Sequence, residues 1–150
     1  MTTSTDDLTA RVEAIEQERA ILDVLYTYCS AIDYGDREAF LDCFTDDAVW
    51  QVPKRLDPAT SAHVAGHEAL RRFFDAHTHA PDAYHKHITL NPQIRRDGDT
   101  ARVTSYFLRV DSPDAAPAYI FASGRYVDDL VRERDGRWRI RSRTCEVENM

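Results

Sequence analysis

Residues 84–92 read "YHKHITLNP", which places His85 and His87 two apart and Asn91 four beyond the second histidine. Imidazoles in such a pattern serve as metal ligands, as an acid–base group with a partner, or as solvated polar side chains. Six histidines occur: His63, His67, His77, His79, His85 and His87. A zinc ion held by His77, His79, His85 and His87 is one reading. The spacing "HTHAPDAYHKH" matches no standard ligand pattern, and no cysteine lies nearby, so metal is the lesser reading. On a regular strand His85, His87, Thr89 and Asn91 share one face, while Lys86, Ile88 and Leu90 share the other. A face of two imidazoles, a hydroxyl and an amide suits either solvent or the wall of a ligand cavity.

Asp33 is the other group that asks for an explanation. At helical spacing it falls on one stripe with Ile15, Leu22, Tyr26 and Cys29. Burying a carboxylate without partners is costly, and the C-terminal end of a helix disfavours negative charge. A histidine is a suitable partner, because a carboxylate fixes its tautomer and stabilises the imidazolium. The plainer alternative is that Asp33 begins a turn before Gly35 with its side chain in water.

The elements that must position these groups follow from periodicity. Residues 9–34 form a long amphipathic helix, with Leu25 and Ile32 flanking the stripe and Gly35 as its stop. Asp36 caps a short second helix through Phe40, Leu41 and Phe44. "AVWQVP" is a strand, "KRLDPATSAHVAG" a loop, and "GHEALRRFFDAH" a third helix. From residue 85 the pattern becomes strands joined by turns at "DGDT" and "RDGR". Helices first and antiparallel hairpins after predict a single α+β domain over residues 1–150, with 1–8 as a flexible tail. In the strand 118–131, Tyr119, Phe121 and Val127 lie on one face and Ile120, Ala122, Tyr126 and Leu130 on the other. Both faces need cover, which predicts a homodimer through the sheet.

Composition narrows the function. The 150 residues carry 26 acidic and 19 basic side chains, for a net charge of −7, which argues against nucleic acid as the partner. Arg137, Arg139, Arg141 and Arg143 alternate near the C-terminus and are expected to line a solvated strand face. No apolar run approaches a membrane span, and the polar "MTTSTDDLTA" start is not a secretory signal. Cys29, Cys43 and Cys145 are expected as buried thiols of a cytoplasmic protein. No nucleophile elbow, phosphate loop or nucleotide fingerprint occurs, so no cofactor is expected.

The order of elements, "AID" closing the first helix, His-x-x-x-Asn at 87–91, the "DGDTARV" hairpin and "GRYVDDLVRERDGRWRI" together resemble the SnoaL-like branch of the nuclear transport factor 2-like superfamily. The resemblance spans roughly residues 10–146. That branch is similar to scytalone dehydratase, bile-acid 7-alpha-dehydratase and hexachlorocyclohexane dehydrochlorinase, and it includes polyketide cyclases and small subunits of ring-hydroxylating dioxygenases. The resemblance implies a cone: a curved antiparallel sheet wrapped around three helices and enclosing an apolar pocket. It puts Asp33 and His87 at the positions of a catalytic aspartate–histidine dyad. Tyr28 matches a tyrosine of the bile-acid dehydratase, although helical geometry sets it about 140° around from Asp33. Arg132 matches an arginine of the dehydrochlorinase. Lys86 and the loop "KRLDPATSAHVAG" have no counterpart, which leaves the substrate open.

The expected function is a cofactor-independent lyase or isomerase acting on a small, apolar, cyclic substrate. His87 would be the base and Asp33 its orienting group, with Arg132, Asn91 or Tyr28 stabilising developing charge. Tyr26, Trp50, Phe73, Phe74, Tyr106 and Phe107 are pocket or core aromatics. His85, nearer the strand's start, is expected at the rim or in solvent. Rival readings are a non-catalytic ligand-binding module, a dioxygenase-type small subunit and a polyketide cyclase.

Overall fold

The computed structural model describes residues 5–53, 62–114 and 116–149. Three helices come first: α1 (Thr5–Tyr34), α2 (Arg37–Asp42) and α3 (His67–Asp75). Six strands form one open sheet: β1 (Phe44–Val52), β2 (Ala62–Ala65), β3 (Tyr84–Asp97), β4 (Thr100–Ser112), β5 (Tyr119–Arg132) and β6 (Trp138–Asn149), in the order β2-β1-β6-β5-β4-β3. The expected α+β class holds. One detail differs: β1 pairs with β6 in parallel, so the sheet is mixed rather than wholly antiparallel. Helix α1 packs on β3 and β6, and α3 on β1 and β2. Among the described residues no helix is long and apolar enough to cross a membrane.

Local chemistry explains the joints. Gly35 takes φ +80° after the last turn of α1, a conformation glycine adopts at little cost. Asp36 then caps α2, accepting from the backbone N–H of Ala39 at 3.0 Å. The helix begins at Thr5, so residues 5–8 are helical rather than tail; residues 1–4 lie outside the described part. Of the expected loop, residues 54–61 lie outside it too, while 62–65 form β2.

The buried side of α1 differs from the expected stripe. The buried residues are Ile21, Leu25, Tyr28, Cys29, Ala31, Ile32 and Asp33. Ile15 is 66% exposed and Tyr26 44% exposed. Leu8 and Val12, nearer the start of the helix, are exposed as well. All three cysteines are buried free thiols, as expected.

Strand pairing is interrupted at several points, also between Arg109 and Val110 and between Ser123 and Gly124, and two β-bulges decide how Asn91 and Arg143 face. One falls between Leu90 and Gln93 of β3, the other between Asp129 and Leu130 opposite Ile140 and Ser142 of β6. Each adds a residue and reverses the alternation beyond it. The inner face therefore carries His85, His87 and Thr89, then Ile94; Val103, Ser105, Phe107 and Arg109; Ala122, Gly124, Tyr126, Asp128 and Leu130; and Ile140, Arg143 and Cys145.

The arginine row does not survive the second bulge. Arg137 and Arg139 stay on the hairpin and pair with Asp42. Arg143 turns inward and is 0% exposed. It holds Asp128 in a two-bond pair at 2.8 and 2.7 Å, with its guanidinium 4.1 and 4.3 Å from the ring centres of Tyr28 and Tyr126.

Candidate functional site

The site forms where the last turn of α1 meets the start of β3. Asp33 is buried there despite its charge, because three groups face it. The backbone N–H of His87 donates to Oδ2 at 2.9 Å, and His87 Nδ1 lies 2.6 Å from Oδ1. A carboxylate only accepts, so Nδ1 carries the proton and the Nε2 lone pair is left free. His85 Nε2 lies 3.5 Å from the same Oδ1.

His85 corrects an expectation. It is 2% exposed rather than at the rim, because parity with His87 puts both on the inner face. Burial, then the nearby His87 and Arg109, holds its imidazole below the ordinary range. His77 reaches in from the segment after α3, with its ring centre 4.8 Å from that of His85 and 5.7 Å from that of His87. Burial pushes its pKa down to about 4. Its Nδ1 donates to the Thr78 carbonyl at 2.7 Å. His79 instead faces the carbonyls of Ile32 and Phe74 at 2.6 and 3.2 Å, tying this segment to α1.

Across the sheet, Arg109 stands opposite His87 and grips Asp111 with two bonds of 2.8 and 3.1 Å. A cleft of about 280 Å³ opens at this end, walled by Thr78, His85, Arg109, Asp111 and Tyr119. Its wall is largely polar, unlike the apolar pocket expected.

The other expected site residues scatter. Asn91 sits in the β3 bulge at φ +50° and is exposed, so it leaves the face of His87. With Tyr106 and Arg125 it lines a small groove on the outer face. Tyr106 is 58% exposed. Arg132 lies at the far hairpin, donating to the Gly136 carbonyl. Its strand neighbour Val131 pairs with Thr100, nine residues along β4 from Arg109, or about 30 Å at ~3.3 Å per residue. Arg132 is thus no part of this site. Tyr28 is buried beside Phe40, Phe44 and Tyr126, and its hydroxyl accepts from Trp50 Nε1 at 3.3 Å. Burial raises its pKa well above the ordinary phenol range, so it remains a proton donor. Trp50 packs on Phe73 at 4.6 Å between ring centres, and Phe107 stacks on Tyr126 at 4.7 Å. Phe74 stacks on His79.

Arg109 is a site residue that the sequence does not single out, and His77 enters there only through the zinc reading. The alternation Val103, Ser105, Phe107, Arg109 is a usable signal for Arg109.

The fold has known relatives. The model of the SnoaL-like domain matches residues 13–144, and the chain belongs to this family. A variant of Rv3472, a protein of unknown function from Mycobacterium tuberculosis, is 29% identical with a TM-score of 0.79, over 92% of this chain and 75% of that one. The β subunit of a candidate aromatic-ring-hydroxylating dioxygenase from Novosphingobium aromaticivorans is 21% identical with a TM-score of 0.75, covering 91% of this chain and 92% of the other. A candidate scytalone dehydratase from the same organism is 21% identical, with a TM-score of 0.71 and coverage of 89% and 85%. At those identities the last two speak for the fold alone. No curated protein matches the chain.

Proposed function

We propose that the protein is a cofactor-independent lyase or isomerase in which His87 is the general base and Asp33 its orienting carboxylate. The observation that carries this is the 2.6 Å contact between His87 Nδ1 and Asp33 Oδ1, reinforced by the 2.9 Å bond from the His87 backbone. Together they fix the ring and leave Nε2 to take a proton. Asp33 stabilises the imidazolium that forms, and a positioned base of this kind contributes about 10²–10⁴ in rate. The suited reaction is removal of an activated C–H proton, followed by loss of a leaving group or by double-bond migration. Arg109 replaces Arg132 as the nearby cation, and Tyr28 stays as a deeper donor. The substrate is a small cyclic compound that approaches from the polar cleft, whose wall includes His85 but not His87. A SnoaL-like fold shared with a candidate dehydratase is consistent with this reading. The test is a screen of hydroxylated and ketonic ring compounds for elimination or isomerisation. His87→Ala and Asp33→Asn should each lose at least about 10² in kcat/KM with the fold intact. A turnover found in the native protein and kept by His87→Ala would refute the assignment. Ring closure of a polyketide chain, scored in the same screen, is the cyclase alternative.

A second reading has its own observation. Ile88, Leu90, Tyr106 and Ile120 are exposed along β3–β5. We infer that a second copy of this chain covers this face, as an unpartnered apolar sheet face requires. Sedimentation should show a dimer that Leu90→Lys dissociates; a native monomer at micromolar concentration refutes it. Co-purification with a large iron–sulfur subunit would instead mark an assembly role like that of dioxygenase small subunits.

A further inference from the structure

We propose that Asp33, His85 and His87 form a site for one divalent transition-metal ion of the zinc type, with His77 as a fourth ligand. The first ground is the donor set. One ligand atom from each of the three residues lies within 4.8 Å of the others. Two imidazoles and a carboxylate suit zinc and its first-row neighbours rather than calcium or magnesium, which prefer oxygen.

The second ground is independent of that proximity. His85 Nε2 is sealed from solvent and makes no hydrogen bond. A buried polar nitrogen without a partner is unfavourable by about 1–3 kcal/mol. It faces Asp33 Oδ1 at 3.5 Å. Two ligands bound tetrahedrally at about 2.0–2.2 Å stand roughly 3.4 Å apart, so this pair is already spaced for an ion.

The His87 side needs one change. Nδ1 and Oδ1 are 2.6 Å apart because a proton joins them. When the ion enters, that proton moves to Nε2 of the same ring, and the pair opens by roughly 0.8 Å to ligand spacing. His77, its ring centre 4.8 Å from that of His85, is the neighbouring imidazole that would move in to the fourth position. Its Nδ1–H is committed to the Thr78 carbonyl, which leaves the Nε2 lone pair available. His79 is excluded, since both its nitrogens face backbone carbonyls. The set foreseen as four histidines thus becomes three histidines and Asp33.

This site shares atoms with the proposed catalytic pair but does not rest on that reading. An ion on Nδ1 removes the Asp33–His87 hydrogen bond, so metal-loaded protein would lack the oriented base. The test reads binding directly. Protein made without a histidine tag is stripped with chelator and titrated with Zn²⁺ by calorimetry and with Co²⁺ by visible absorption. The expected result is one ion per chain, a tetrahedral Co²⁺ spectrum, and affinity reduced at least about tenfold in His85→Ala and His77→Ala. His63→Ala should bind as the native protein does. His85→Gln, which keeps a polar side chain, gives a second measurement should His85→Ala not fold. No stoichiometric binding at tens of micromolar ion overturns the proposal. So does binding kept by both His85 variants or lost in His63→Ala.

Discussion

Asp128→Asn would leave the Arg143 guanidinium charged in a place with no solvent. Both side chains are 0% exposed, and they stand directly opposite each other on β5 and β6. Breaking a buried pair by removing one partner costs about 3–5 kcal/mol. The Tyr28 and Tyr126 rings, 4.1 and 4.3 Å from the guanidinium, survive the substitution and offset part of this, up to about 2 kcal/mol for a desolvated cation. The lower end, about 3 kcal/mol, is therefore expected. That is a large share of the roughly 5–15 kcal/mol of a typical domain, and it corresponds to a fall in Tm of about 6–12 °C. The assay is urea unfolding of Asp128→Asn, Arg143→Met and the double variant Asp128→Leu/Arg143→Met. The double variant removes both charges and should lose less than either single one, because no lone charge remains buried. Single variants each costing under about 1 kcal/mol, or costs that simply add in the double variant, would refute the reasoning.

Gly124→Ala should disrupt β5, since a Cβ there would lie 2.1 Å from the Glu146 carbonyl oxygen and 2.9 Å from Phe107. The backbone contact cannot relax by rotamer change, so a loss of at least about 1–3 kcal/mol is expected in the same unfolding assay; native-like stability would contradict it. Cys43 and Cys145 are pushed up to about 12 by burial, and Cys29 is raised as well. At pH 8 they hold almost no thiolate, so a thiol reagent should be inert towards folded protein and should label all three once it is denatured. Rapid labelling under native conditions would show that the interior opens more readily than this packing allows.

The α+β class, the helix stop at Gly35, the cap at Asp36, the hairpin turns and the buried cysteines were all legible in the sequence. Each depends on a few adjacent residues or on a simple period, and local physics specifies such features. Asp33 and His87 were also singled out there, the first by a charge on an apolar stripe and both by family resemblance. Their contact joins groups 54 residues apart and exists only because α1 packs on β3. The misplacements have two physical sources. Helix α1 carries apolar residues on more than one side, and only the sheet decides which side is covered, so Tyr28 went in and Tyr26 out. The bulges in β3 and β6 reverse face parity, which sent Asn91 outward and drew Arg143 into the core. A bulge is fixed by how neighbouring strands register, and the alternation of residues along one strand does not carry that information. Periodicity therefore named the groups able to do chemistry, while the pairing of distant strands and the docking of one helix decided which of them meet.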